Sequence, residues 1–306
     1  REPREYVFAA SSRVDEAYEC SRCVRDGRYK YIRNYMPHLP YIQPSEYCDR
    51  AEIMQELRRA VAEEELSPVQ RRLWEPVKPA EELYDTYADL HEIENLVNSP
   101  DHRQTLAKFR KALHGWMLQI HDVGLLPEAE MHIRAEDSTP YEIARDPTKF
   151  PQRHILAAAD LVGQGPAFIP RLVRLLDDSD SAVRYWAVIG LTALGSQAEP
   201  AADALAARLE DSSPNVRLAA AGALCKLGPC RTALQVLAEG LEDEREETVL
   251  HAAREIEGIG KKARPIVAAI EQARERCKRP DGTYKNNNHA TFIDWALKYA
   301  LENCGQ

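Results

Sequence analysis

The sequence predicts an α+β chain: a small antiparallel sheet subdomain with a packed helix, followed by an all-α solenoid. Three observations carry this. Two β-rich runs flank Asp26-Gly27, an amphipathic helix pattern lies between Pro100 and His121, and from about residue 152 the texture turns to alanine- and leucine-rich helix that repeats. The 306 residues exceed the usual size of a single core, so two domains are expected. Their boundaries fall at 1–136 and 152–306, with 137–151, which carries Pro140, Pro147 and Pro151, as the linker.

The runs Tyr18–Arg25 and Arg28–Tyr35 read as a hairpin. Asp26-Gly27 between them is the dipeptide favoured in a type I′ turn, where both central residues need positive φ. Along the second run Tyr29, Tyr31, Arg33 and Tyr35 point one way and Arg28, Lys30, Ile32 and Asn34 the other, because side chains alternate across a strand. A third strand is expected at Tyr6–Ala10, with Ser11–Ala17 as a polar loop leading into the hairpin. Such a small sheet needs a cover. The spacing Leu106, Phe109, Leu113, Trp116/Met117 gives a helix with one apolar face for that purpose, and Trp74 is expected to pack there too.

In the second half, Leu176-Asp-Asp-Ser-Asp-Ser-Ala-Val-Arg184 aligns with Leu209-Glu-Asp-Ser-Ser-Pro-Asn-Val-Arg217 at a spacing of 33 residues. The register continues through Ala187/Ala220, Leu191/Leu224 and Gly195/Gly228, and a third copy starts at Leu241 with Val249 at the arginine position. Each unit opens its second helix with an Asp or Ser cap and stops it at glycine. This is the pattern of a short HEAT-like solenoid, with His154–Gly163 and Lys261–Arg276 as terminal helices, since each repeat buries its apolar stripe only against neighbours. Arg184 and Arg217 are expected to pair with Asp178 or Asp211. A last helix, His289–Asn303, places Phe292, Trp295, Ala296 and Tyr299 on one face, either to cap the stack or to dock a protein partner; Asn286-Asn287-Asn288 before it reads as a loop.

Two stretches of the first half resemble the sulfatases of the alkaline phosphatase superfamily. Val24-Arg-Asp-Gly-Arg-Tyr-Lys-Tyr-Ile32 is similar to their strand Val-Arg-x-Gly-Arg-Tyr-Lys-Tyr-Ile, and Glu82–Leu96 to the downstream Glu-Leu-Tyr-Asp-x-x-x-Asp-Pro-x-Glu-x-x-Asn-Leu, with Leu90 in place of proline. Arg13–Glu16 and Arg33–Tyr41 resemble the branch that includes N-sulfoglucosamine sulfohydrolase. The resemblance covers roughly residues 5–130. It implies the C-terminal subdomain of a sulfuric-ester or sulfamate hydrolase on sulfated glycans, periplasmic or secreted. In that family a formylglycine, made from Cys or Ser in Cys/Ser-x-Pro-x-Arg, and a calcium ion belong to an upstream domain. Neither that motif nor the family's metal ligands occur in this chain, so no catalytic residue, metal site or cofactor is assigned here, and the upstream domain is the expected partner. Ser212-Ser-Pro-Asn-Val216 and Ser138-Thr-Pro-Tyr-Glu142 lack the arginine. The residues expected to select substrate are Arg13, Asp15, Glu16 and Arg22, because arginine suits sulfate and carboxylate while carboxylates accept from sugar hydroxyls.

Composition sets further bounds. A net charge of −9 and a pI near 5.6 argue against a nucleic-acid surface, which needs a concentrated basic face. No apolar run approaches 18 residues, so no membrane span is expected. Without an initiator methionine or signal sequence, Arg1 is expected to be an internal cut. Seven cysteines do not suggest a disulfide framework: Cys20-x-x-Cys23 reads as two strand residues, and Cys225 and Cys230 as small packing residues. The acidic runs Glu63–Glu65 and Glu242–Glu244 read as solvated helix faces, and His38, His91, His114 and His121 as structural or exposed. Two other readings of the whole are a non-catalytic solenoid adaptor that binds protein and a HEAT-like lyase acting on bilins; solenoid architecture alone does not choose between them.

Overall fold

The computed structural model describes residues 4–228, 230–285 and 288–305. Four strands, β1 (Val7–Val14), β2 (Ala17–Arg25), β3 (Tyr29–Asn34) and β4 (Glu81–Asp85), form one antiparallel sheet in sequence order. Helices α1 (Glu46–Asp49), α2 (Glu52–Ala62) and α3 (Pro68–Arg71) lie between β3 and β4. After the sheet come α4 (Arg103–Gln119), α5 (Glu128–Arg134) and α6 (Pro140–Ile143). The solenoid is built from α7 (Gln152–Ala159), α8 (Ile169–Leu175), α9 (Ser181–Thr192), α10 (Ala202–Ala207), α11 (Pro214–Leu227), α12 (Arg231–Gly240), α13 (Glu246–Ile259), α14 (Val267–Arg276) and α15 (Asn288–Gly305).

The expected hairpin is present, with three corrections around it. First, neither Asp26 nor Gly27 has positive φ, so the turn is not type I′. The Asp26 carboxylate accepts instead from the backbone N–H of Arg28 (2.8 Å) and Tyr29 (2.7 Å), an Asx-type turn. Second, Ser11–Val14 continues β1 and is not a loop; the reversal is confined to Asp15-Glu16, where Asp15 adopts φ 50°, a conformation aspartate tolerates. Cys20, at φ 87°, lies where the β1–β2 register slips between Ser11 and Arg13, a bulge. Third, Glu81–Asp85 adds a fourth strand.

Cross-strand register puts Phe8, Val24, Tyr31 and Leu83 in one row. That row faces α4, whose Leu106, Phe109, Leu113 and Met117 are buried as the spacing predicts. Phe8 stacks on Trp116 at 4.9 Å between centroids, and Phe109 meets Tyr6 and Tyr29 edge-on. Trp74 does not join this layer; it lies under the Arg58 guanidinium of α2, 5.1 Å away.

The solenoid repeats form as the spacing predicts. The Asp180 side chain caps α9 through the N–H groups of Ala182 and Val183. Arg184 donates to the Asp178 carbonyl and makes a bidentate pair with Asp211 of the next unit (2.8 and 2.7 Å), so one side chain ties two repeats together. Arg217 reaches the Asp211 carbonyl. Cys225 and Cys230, expected to be packing residues, form a disulfide across the α11–α12 turn, with Cα atoms 4.8 Å apart. Cys20, Cys23, Cys48, Cys277 and Cys304 are free. Asn286 and Asn287 of the expected loop lie outside the described residues.

Sheet and solenoid share a continuous core. Residues 137–151 contain α6, opened by a Thr139–Glu142 capping box, and bury Ile143 and Phe150. Trp186 of α9 donates its indole N–H to the Leu125 carbonyl (2.8 Å) and meets the ring of Tyr35. Arg33 of β3 donates to Ala80 O and, across the junction, to Val162 O (2.7 Å). Gly163 follows at φ 80°, and a Cβ there would overlap that of Ala80; both the backbone angle and the close approach require glycine. On α5, Glu130 accepts from Ser181 (2.5 Å) and Ser213 (3.1 Å), placing a carboxylate at the N-termini of α9 and α11, where helix dipoles favour negative charge.

Candidate functional site

The β1–β2 turn holds three of the four residues expected to meet substrate, and the solenoid reaches back to cover it. One face of α15, built of Ile293, Ala296, Leu297 and Ala300, is buried, and α15 packs on α13 and α14. Its other face meets the sheet subdomain: Phe292 lies under Arg13 (5.3 Å), Trp295 under Arg50 (5.3 Å), and the Tyr299 hydroxyl donates to Asp49 (2.7 Å). Lys298 pairs with Glu46 at 2.7 Å. The aromatic stripe legible in the sequence is thus a docking surface for the chain's own N-terminal half.

The four side chains have unequal freedom. Arg22 is 1% exposed and fully engaged, bidentate to Asp122 (2.5 and 3.1 Å) and donating also to Ser11 O, Ser21 O and Ser12 Oγ. No N–H remains for a ligand, which corrects the expectation that it binds substrate. Glu16 is buried, accepts from the Glu46 backbone N–H (2.7 Å) through Oε1, and leaves Oε2 unpartnered. Burial raises its pKa, against the Glu46 N–H and Arg254, which lower it. Arg13 pairs with Glu128 (2.7 Å) and donates to Asp15 O, with 20% of its side chain exposed. Asp15 is half-buried, and its carboxylate has no hydrogen-bond partner among the described residues.

Behind this turn, between the sheet and the second helices of the repeats, lies a cavity of about 490 Å³. Tyr18, His38 and Gln43 line it from the sheet side; Tyr185, Trp186, Asn215, His251, Arg254 and Glu255 line it from α9, α11 and α13. His251 Nδ1 is 3.3 Å from Asn215 Oδ1 and its Nε2 3.7 Å from Glu255. Glu255 is ionised: although burial raises its pKa, Lys226 and His251 pull it below the ordinary value. Burial, with Lys226 nearby, pushes His38 down to about 3, so its ring is neutral. Glu257, paired with Arg254 at 2.5 Å, is pushed up to about 7 by burial, against Arg254.

The individual signals for this wall are in the sequence, though only the fold assembles them. In repeat register His251 stands where earlier units have Trp186 and Ala219, Arg254 where they have Ile189 and Gly222, and Glu255 where they have Gly190 and Ala223. Gly222 makes room for Glu255, whose carboxylate would overlap a Cβ at that position. His38, grouped with the scattered histidines, belongs to the same wall. Among the described residues no group of three or more His, Cys, Asp or Glu side chains is placed to hold a metal ion. Among those residues, too, no helix is long and apolar enough to cross a membrane.

Comparison with known proteins agrees with the two textures. The family of HEAT repeats matches residues 169–257 and 202–281. An ulvan-active sulfatase from Formosa agariphila is 43% identical over 128 residues, 42% of this chain. The chain spans 22% of the length of that relative. It combines a segment similar to a sulfatase with a solenoid of HEAT repeats.

Proposed function

We propose that this chain serves as the C-terminal region of a sulfatase that hydrolyses sulfuric esters or sulfamates of a sulfated glycan outside the cytoplasm, with the solenoid as an attached interaction module. The observation that carries the reading is the 43% identity to the ulvan-active sulfatase. The two sulfatase-like stretches support it by pairing as neighbouring strands, Tyr31 opposite Leu83 and Lys30 opposite Tyr84. Ulvan is therefore the first glycan to test. In this reading the formylglycine nucleophile and calcium come from an upstream domain. Arg13 and Asp15 border the substrate at the β1–β2 turn, and Glu16 and Arg22 hold that turn in place. Exposed Leu73, Val77, Tyr87 and Leu90 offer apolar surface for the catalytic domain to cover.

The adaptor reading is less well supported, because the second-helix face of the repeats already packs on the sheet subdomain through Trp186 and borders the cavity. The test is kinetic. The purified chain, given 4-nitrophenyl sulfate and calcium, should show no turnover. In the full gene product Asp15→Ala and Arg13→Ala should raise KM for the glycan roughly ten-fold each, about 1.4 kcal/mol, and leave kcat on the small aryl sulfate unchanged. Turnover by the chain alone, or unchanged glycan KM in both variants, would contradict the assignment.

A further inference from the structure

The cavity between sheet and solenoid has an uneven set of walls. Most of its surface is apolar, supplied by Met36, Leu39, Leu126, Met131, Trp186 and Ile189. Four of the ionisable groups bordering it are paired within the fold: Arg13 with Glu128, and Arg254 with Glu257. Lys226 forms no ion pair within 4 Å among the described residues; its charge lowers the pKa of Glu255, which lines the same space, so a ligand anion would share Lys226 with that carboxylate. Asn215 is 1% exposed, and its Nδ2 has no partner among the described residues. Tyr18 and Tyr185 line the same space, and no hydrogen-bond partner for either hydroxyl is found among the described residues. A buried amide N–H₂ beside apolar walls favours a ligand group that accepts hydrogen bonds. The Asn215 amide and the exposed Lys226 ammonium, beside apolar and aromatic walls, suit an oxyanion on an apolar ring.

We propose that this cavity is a binding site for a small organic carboxylate with an apolar ring, its body against Trp186, Ile189 and Met131 and its carboxylate toward Asn215 Nδ2 and Lys226. A half-open cavity of about 490 Å³ with few convergent polar groups is of the size and kind that takes such ligands. The inference does not depend on the sulfatase reading, since it uses only residues that face one another in this chain.

The test uses the whole chain and its tryptophan fluorescence, to which Trp186 in the cavity wall contributes, with 3-phenylpropionate, its amide and glucuronate as probes. Saturable quenching by 3-phenylpropionate is expected, with the amide and glucuronate at least ten-fold weaker. Lys226→Met changes an exposed side chain, so folding is kept; it should weaken the carboxylate about ten-fold and leave the amide unchanged. Ile189→Trp should fill the cavity and abolish binding; because it adds a fluorophore, it is read by calorimetry, with thermal melting checked alongside. Absence of saturable binding, an amide as tight as the acid, or Lys226→Met indistinguishable from the parent would overturn the proposal. Tighter binding of glucuronate than of 3-phenylpropionate would overturn the apolar body.

Discussion

The sheet subdomain and the solenoid are held together by different kinds of burial. In the sheet half, Glu16, Arg22, Arg33, Lys78, Glu82 and Asp85 are all buried, each with a specific partner. The solenoid is filled instead mainly by alanine, leucine, valine and isoleucine, with buried charge at the Arg184–Asp211 link, at Asp294 paired with Arg274, and on the cavity wall. Sorting buried charge from apolar fill tells which arginines remain for a ligand. In the sheet half most do not: removing one partner of a buried pair leaves the other uncompensated, so these residues serve first as structure.

The largest effect expected from this contrast is at Arg22. Arg22→Met should destabilise the chain by about 3–5 kcal/mol in urea unfolding, because Asp122 stays buried and unpaired, and adding Asp122→Leu should recover much of the loss. A loss under 1 kcal/mol would mean that water reaches the pair and that Arg22 is available after all. Next is the junction. Gly163→Ala combines positive φ with overlap on Ala80 and should cost roughly 2–4 kcal/mol; tolerance of alanine there would show that the two halves are not seated as described.

A smaller effect follows from Glu257. Its folded pKa near 7 lies above the ordinary 4.5, so folding takes up a proton. That stabilisation is fully present below 4.5 and is lost as pH rises through 7. Glu257→Gln stays neutral, so its melting temperature should gain on the parent between pH 5 and pH 8, by an amount equivalent to about 1–2 kcal/mol. His38, neutral with a pKa lowered to about 3, works in the opposite direction at lower pH, which is why the comparison is between variant and parent at each pH. The smallest effect is at the exposed clasp: Lys298→Met and Tyr299→Phe should each cost no more than about 1 kcal/mol. Together they should raise hydrogen exchange in α15 before the rest of the solenoid.

Legibility in the sequence follows the same division. The repeats could be read from sequence because each unit solves one local problem with the same Leu, Asp and Gly, and the first two with the same Arg. The hairpin was legible from alternation, while its turn was not, since the Asp26 carboxylate can close the loop without positive φ. β4 escaped because Glu-Glu-Leu-Tyr-Asp has neither β-branched residues nor clean alternation; its pairing partner decides its state. The Phe292–Tyr299 stripe was visible as a surface, but what it covers lies some 250 residues away in sequence, and no local pattern encodes that. The cavity wall was missed for the same reason: His38 and His251 become neighbours of one space only when the solenoid folds back on the sheet.

The first measurement to make is the sequence of the coding DNA upstream of Arg1. The proposed sulfatase reading requires an in-frame segment there containing Cys/Ser-x-Pro-x-Arg and an early Asp-Asp pair. A start codon beside Arg1, with no such segment in frame, would contradict it and leave a non-catalytic binding protein.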